Sequence, residues 1–178
     1  MYRSPVLLIQ PRRHLFSSIP GKDTPTTYRL SKRVAVPPSI LFQVVSDVAR
    51  YREFVPFVTE SFIDDRDEIT ELPTQGGFRV GWKEFDERFV CKLECTKDKR
   101  VVAESLTTQL FHHLRNEWTF QPAPSRLSKE LQTIVYFTLR FQFKNLLYNA
   151  VSSLFQDRVC QIMMEAFEKR AKDLEKMT

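Results

Sequence analysis

Hydrophobic and polar positions change their period along this chain, and the changes mark out its elements. From Tyr28 the segment YRLSKRVAV alternates, with Leu30, Val34 and Val36 on one side and Arg29, Ser31 and Arg33 on the other. That two-residue period predicts a half-buried strand. Pro37-Pro38 ends it, and residues 39 to 47 read as a short amphipathic helix entered through proline. Residues 49 to 55 read as a second short helix, closed by Pro56. Six further strands are predicted at residues 58 to 66, 76 to 85, 87 to 97, 100 to 108, 112 to 121 and 131 to 144. Turn-rich stretches, Pro73-Thr74-Gln75-Gly76-Gly77 and Pro122-Ala123-Pro124-Ser125, separate some of them. Alternation is clearest in two strands: Phe89, Cys91, Leu93 and Cys95 share one face, as do Val135, Phe137, Leu139, Phe141 and Phe143.

From Lys144 the period lengthens to that of a helix. Leu147, Val151, Leu154, Phe155, Val159, Ile162, Met163, Ala166 and Phe167 recur at helical spacing in a stretch that runs to Met177. A helix of roughly 30 residues at about 1.5 Å each is about 45 Å long, enough to cross a whole sheet. The predicted order is strand, two short helices, six strands, one long helix. Long antiparallel strands with one aromatic face and a single amphipathic helix bury both surfaces when the sheet curls around the helix. The expected class is therefore α+β, a helix-grip arrangement of about seven strands.

Composition sharpens this picture at the N-terminus. The 178 residues carry 27 Lys and Arg against 22 Asp and Glu, a net charge of +5. Before Asp23 there are Arg3, Arg12, Arg13 and Lys22 and no acid. Removing those four leaves 23 basic residues against 22 acidic ones, so the remainder is close to neutral. A nucleic-acid partner, which requires a basic face, is not expected. The basic, acid-free start, with the apolar run Val6-Leu7-Leu8-Ile9 and hydroxyls at Ser4, Ser17 and Ser18, reads as a mitochondrial targeting presequence over residues 1 to 25. Arg12, Arg13 and His14 interrupt the place where a secretory cleavage site would follow. The domain proper is expected over residues 26 to 178, and no stretch reaches the roughly 18 apolar residues of a membrane-spanning helix.

Candidate chemistry is sparse. Adjacent His112 and His113 on a strand point to opposite faces and do not jointly chelate a metal. Cys91 and Cys95 share a face but lie about 13 Å apart at about 3.3 Å per residue, too far for one zinc ion; they read as small core residues, and Cys160 is the third cysteine. The acid clusters Asp64-Asp65-Arg66-Asp67-Glu68 and Glu84-Phe85-Asp86-Glu87-Arg88 are interleaved with basic residues and read as solvated loops. No phosphate loop, nucleophile elbow or metal motif occurs, and neither a catalytic residue nor a cofactor is expected. The fifteen Phe either fill a core or line a pocket. Periodicity leaves both readings open.

The segment SDVARYREFVPFV, Ser46 to Val58, is similar to a signature of the coenzyme Q-binding proteins, a family of the START-like superfamily that also holds polyketide cyclases and a ribosome-association toxin. GFRVGWKEFDERFVCKLEC from Gly77, LFHHLRNEWTFQP from Leu110 and FQFKNLLYNAVSSLFQDRVCQIMMEAFEKRA from Phe141 resemble later blocks of that family, in order. The resemblance spans Tyr28 to Ala171. It implies a START-like, non-catalytic ubiquinone chaperone, peripheral on the matrix side of the mitochondrial inner membrane and supporting respiration and ubiquinone synthesis. Its partners would be ubiquinone, the membrane surface and biosynthetic or respiratory complexes. On that reading Trp82, Trp118, Phe137, Leu139, Phe141, Leu147, Val151, Leu154, Phe155, Ile162 and Met163 line an apolar cavity. Tyr51, Phe54, Val55, Pro56 and Phe57 would form a membrane rim beside Arg50 and Arg52. The alternatives are a general lipid-binding or ribosome-interacting module of the same fold.

Overall fold

A computed structural model describes residues 25–82, 85–107, 109, 111–124, 131–144 and 146–177, with side chains at all of these except 82, 85, 146–157 and 159. The expected targeting segment lies outside the described residues, apart from Pro25. The elements are β1 (Thr26–Val34), α1 (Pro38–Ser46), a 3-10 helix (Val48–Glu53), β2 (Val58–Arg66), β3 (Pro73–Trp82), β4 (Phe85–Thr96), β5 (Arg100–Ser105), β6 (Phe111–Pro124), β7 (Leu131–Phe143) and α2 (Leu146–Glu175). The seven strands form one antiparallel sheet in the order β1-β7-β6-β5-β4-β3-β2. The helix-grip expectation is met, with α2 against α1 and the sheet.

Local chemistry explains the turns. α1 starts with extended Pro37 followed by Pro38 in its first turn, where a missing N–H costs nothing. Between β2 and β3, one carboxylate oxygen of Asp67 accepts from the Ile69 and Thr70 amides and the Thr70 hydroxyl. Between β4 and β5, Asp98 takes a left-handed conformation, φ 58°, which a short polar side chain tolerates.

Three expectations are corrected. Gly76 and Gly77 are interior to β3 and not a turn; a Cβ at Gly77 would sit 1.9 Å from the Phe89 carbonyl oxygen, so only glycine lets β3 approach β4 there. Pro122-Ala123-Pro124 continues β6. β5 pairs with β6 only as far as Thr119, so these residues pair with β7 alone and the prolines remove no ladder bond on the other side. The second short helix is 3-10 and ends at Glu53.

The main core lies where α1 and the C-terminal half of α2 meet the sheet. Cys160, Met164, Phe167 and Ala171, at helical spacing, are the buried stripe of α2. Phe167 is its centre, with ring centroids 4.9 Å from Trp118 and 5.1 Å from both Tyr51 and Phe54. The fully buried Thr133 hydroxyl donates to the Val36 carbonyl and ties β7 to the segment between β1 and α1. Glu168 pairs with Lys32 of β1 and with Lys172, and Arg170 pairs with Glu53, which fixes α2 at two further points.

Candidate functional site: the concave face of the sheet

Beyond the main core, the concave face continues as an aromatic surface. Phe89, Phe111 and Phe141 are buried together, with Phe78, Val80, Leu114, Leu139 and Phe143 packed against them. The rings follow one another across four strands: Phe78 to Phe89 at 5.6 Å, Phe89 to Phe111 at 5.9 Å, Phe111 to Phe143 at 4.4 Å and Phe143 to Phe141 at 5.6 Å. Tyr51 links this row to the core, 6.3 Å from Phe78 and 5.1 Å from Phe167. The contacts are tilted or edge-on at spacings favourable for aromatic pairs. Strand alternation explains the row, because every second residue of β3, β4 and β7 faces inward. β6 carries a bulge between Phe111 and His113, which keeps Phe111 inside while His113 faces the opposite side and His112 is exposed.

Where the row meets the core lies a cavity of about 20 Å3, lined by Val45, Val48, Tyr51, Gly76, Gly77, Phe78, Cys91, Leu93, Val101, Ala103 and Asn116. Among the described residues its walls contain no acid and no histidine. The Tyr51 hydroxyl donates to the Val45 carbonyl at 2.5 Å, and burial raises its pKa far above the ordinary phenol value, so it stays a neutral structural peg. Burial likewise pushes the Cys91 and Cys95 thiols up to about 11, which leaves them protonated and poorly nucleophilic at neutral pH. Among the described residues no group of His, Cys, Asp and Glu is arranged to hold a metal, and no helix is long and apolar enough to cross a membrane.

The expected lining residues separate into three sets. Phe141 joins the aromatic row and Leu139 bridges it to the core. Trp118 and Phe137, 4.6 Å apart, and Met163 belong to the closed core, while Ile162 is only partly buried and lies outside the packed clusters. The side chains of Trp82, Leu147, Val151, Leu154 and Phe155 lie outside the described residues. Three of the five expected rim residues face inward: Val55 is buried, Phe54 packs edge-on against Phe167, and Tyr51 is held as above. The 3-10 helix and the turn that follows it bring Tyr51 and Phe54 onto Phe167 of α2 and leave Pro56 and Phe57 exposed. Phe78, Phe111 and Asn116 were not anticipated as site residues. Asn116 had a legible signal, since it interrupts the inward series Leu114, Trp118, Phe120.

The opposite face of the same strands is polar. A shallow groove of about 480 Å3 is lined by Pro25, Arg29, Glu104, His113, Arg115, Glu117, Thr138 and Arg140. Glu117 accepts from Arg100 at 2.7 Å and from Arg115 at 3.2 Å, and Arg115 reaches Glu104 at 3.6 Å.

With this geometry in view, the relatives are informative. The profile of the family described as polyketide cyclase / dehydrase and lipid transport matches residues 34–168. The mitochondrial coenzyme Q-binding protein of Eremothecium gossypii is 41% identical over 92% of this chain and 81% of its own length. The protein of the same name from Saccharomyces cerevisiae is 41% identical over 81% of this chain and 70% of its own. The chain belongs to the coenzyme Q-binding protein family. Among solved structures, a START superfamily protein from Mycobacterium smegmatis matches with a TM-score of 0.70 at 15% identity, covering 83% of this chain and 98% of that one. The Zhui aromatase/cyclase from Streptomyces sp. R1128 matches at 0.66 and 14%, covering 83% and 94%. At such identities these two establish for this coenzyme Q-binding family member the START-like fold alone.

Proposed function

We propose that this protein holds ubiquinone between the concave face of the sheet and α2, without catalysing a reaction on it. It acts as a ubiquinone chaperone at the matrix side of the mitochondrial inner membrane, supporting respiration and ubiquinone synthesis. The observation that carries this reading is the aromatic row across β3, β4, β6 and β7 joined to a cavity walled, among the described residues, without acid or histidine. A cyclase acting by acid–base chemistry needs such groups at the substrate. The names of the family's members, coenzyme Q-binding and mitochondrial, support the ligand and the compartment.

The energetics favour exchange over trapping. Burying one isoprene unit from water yields about 4 kcal/mol, at about 0.8 per carbon. The relevant reference is the bilayer, where the tail is already out of water, so transfer into an apolar cavity is close to neutral. Selectivity then rests on the head group and cavity shape. The test is uptake from vesicles: protein mixed with ubiquinone-loaded vesicles and separated from them should carry near-stoichiometric quinone. Protein that emerges without quinone contradicts the proposal.

The membrane contact is proposed at Pro56 and Phe57. Phe57 is 50% exposed and held at φ 67°, a conformation disfavoured for a bulky residue, with its carbonyl accepting from the Gly81 amide. Phe57→Asp should reduce sedimentation with anionic vesicles while leaving the melting temperature nearly unchanged; unaltered sedimentation counts against this contact.

A further inference from the structure

Asn116 is a partly buried polar side chain on the wall of the apolar cavity, with no hydrogen bond to it among the described residues. It sits mid-strand in β6 with Ala103 of β5 and Leu139 of β7 as its cross-strand neighbours, so all three share the concave face. Asparagine is disfavoured in strands, and its amide is costly beside aliphatic and aromatic neighbours unless it is paired. The hydroxyl that lines the cavity beside it, that of Tyr51, is committed to the Val45 carbonyl. Among the described residues the Asn116 carboxamide bonds to no group, and it borders the 20 Å3 cavity, which is room for one small partner atom.

Its neighbours along β6 set its position. Two residues further along β6, Trp118 enters the closed core against Phe167; two residues back, Leu114 packs on the aromatic row. Asn116 therefore lies on β6 between the aromatic surface and the packed core. A quinone ring presents carbonyl and methoxy oxygens, acceptors only, and a carboxamide supplies two N–H donors.

We propose that the Asn116 side-chain amide donates to a ring oxygen of the bound quinone, so that the head group is innermost and the isoprenoid tail runs outward along Phe89, Phe111 and Phe141. This assignment rests on the ubiquinone reading above and adds to it the head-group contact and the direction of binding. Asn116 is a specificity-determining residue: it separates a quinone from an equally apolar lipid that has no acceptor to offer.

The experiment measures binding of a short-tailed ubiquinone analogue and of squalene, an isoprenoid without a ring, to the full chain and to Asn116→Leu. The substitution should weaken the quinone about tenfold, the loss of one buried hydrogen bond, and leave squalene unchanged or tighter. Asn116→Ala, which cannot overpack, carries the same expectation if leucine disturbs folding. Equal quinone affinity in the variants would overturn the assignment, with the amide then serving only a trapped water and the ubiquinone reading intact. Equal losses for both ligands would also overturn it, by showing a structural role. Failure of the unsubstituted protein to bind quinone would remove the ubiquinone reading and the assignment together.

Discussion

The two faces of this sheet are built from the same strands and solve opposite problems. On β6, Leu114, Asn116, Trp118 and Phe120 face α2, while Arg115 and Glu117 between them face solvent. The inner face gains its stability by excluding water, so each ring must fit its neighbours. The outer face uses a network in which Glu117 joins Arg100 to Arg115 and Arg115 reaches Glu104. Beneath that network Val102 is only 2% exposed, because long arginine side chains cover apolar surface while their charges stay wet. A change of one residue in register would exchange the two environments, which makes the face of a substitution more decisive than its chemistry.

The sharpest way to break the comparison is to place the same charge on both sides of β7. Phe141→Asp puts a carboxylate among Phe89, Phe111 and Leu139 with no partner, and should destabilise the protein by several kcal/mol and abolish quinone uptake. Thr138→Asp, on the outer groove beside Arg29 and Arg140, should change stability by less than about 0.5 kcal/mol and leave uptake intact. Equal effects in chemical denaturation would contradict the division of faces.

A smaller effect distinguishes the two ends of the inner face. Phe167→Ala removes the ring that joins Trp118, Tyr51 and Phe54, at about 3 to 5 kcal/mol in denaturation. Phe111→Ala, at the aromatic end, should cost less and reduce quinone binding more. The reverse ranking would place the ligand in the core around Phe167.

The smallest effect comes from the outer network and is read by pH. The hydrogen bond from Arg100, then that from Arg115, holds the Glu117 carboxyl below its ordinary value against the opposing effect of burial. A group whose folded pKa is depressed stabilises the fold above its unfolded value, and that contribution is lost as pH falls through the folded value. Glu117→Gln should therefore lower stability at neutral pH by about 1 kcal/mol or less and flatten its decline in acid. A decline unchanged by the substitution would show that Glu117 contributes nothing measurable.

Much of the fold was legible because strand alternation is a strong signal: the inward series of β4 and β7 and the outline of α2 all follow from spacing. What spacing could not convey was contact. Gly76-Gly77 reads as a turn until Phe89 is seen pressed against it, and Pro122 and Pro124 read as a loop until β5 is seen to end short of them. Along α2 the apolar residues cover more than one face, and only packing selects Cys160, Met164, Phe167 and Ala171 over Ile162. Tyr51, Phe54 and Val55 looked like surface apolar residues because spacing assumes an α-helix through residue 55, whereas a 3-10 helix places Tyr51 differently and ends at Glu53, before Phe54 and Val55. Asn116 was visible as an exception to its own strand's pattern, but its cavity-lining position beside the committed Tyr51 hydroxyl appears only in three dimensions.

The central claim, that the concave face holds ubiquinone, is tested most directly by extracting and identifying by mass spectrometry the lipid that accompanies the purified protein from a ubiquinone-producing host. Ubiquinone near one molecule per chain, absent from Phe141→Asp, is the expected result; a folded protein carrying no lipid, or a mixture without enrichment in ubiquinone, would contradict it.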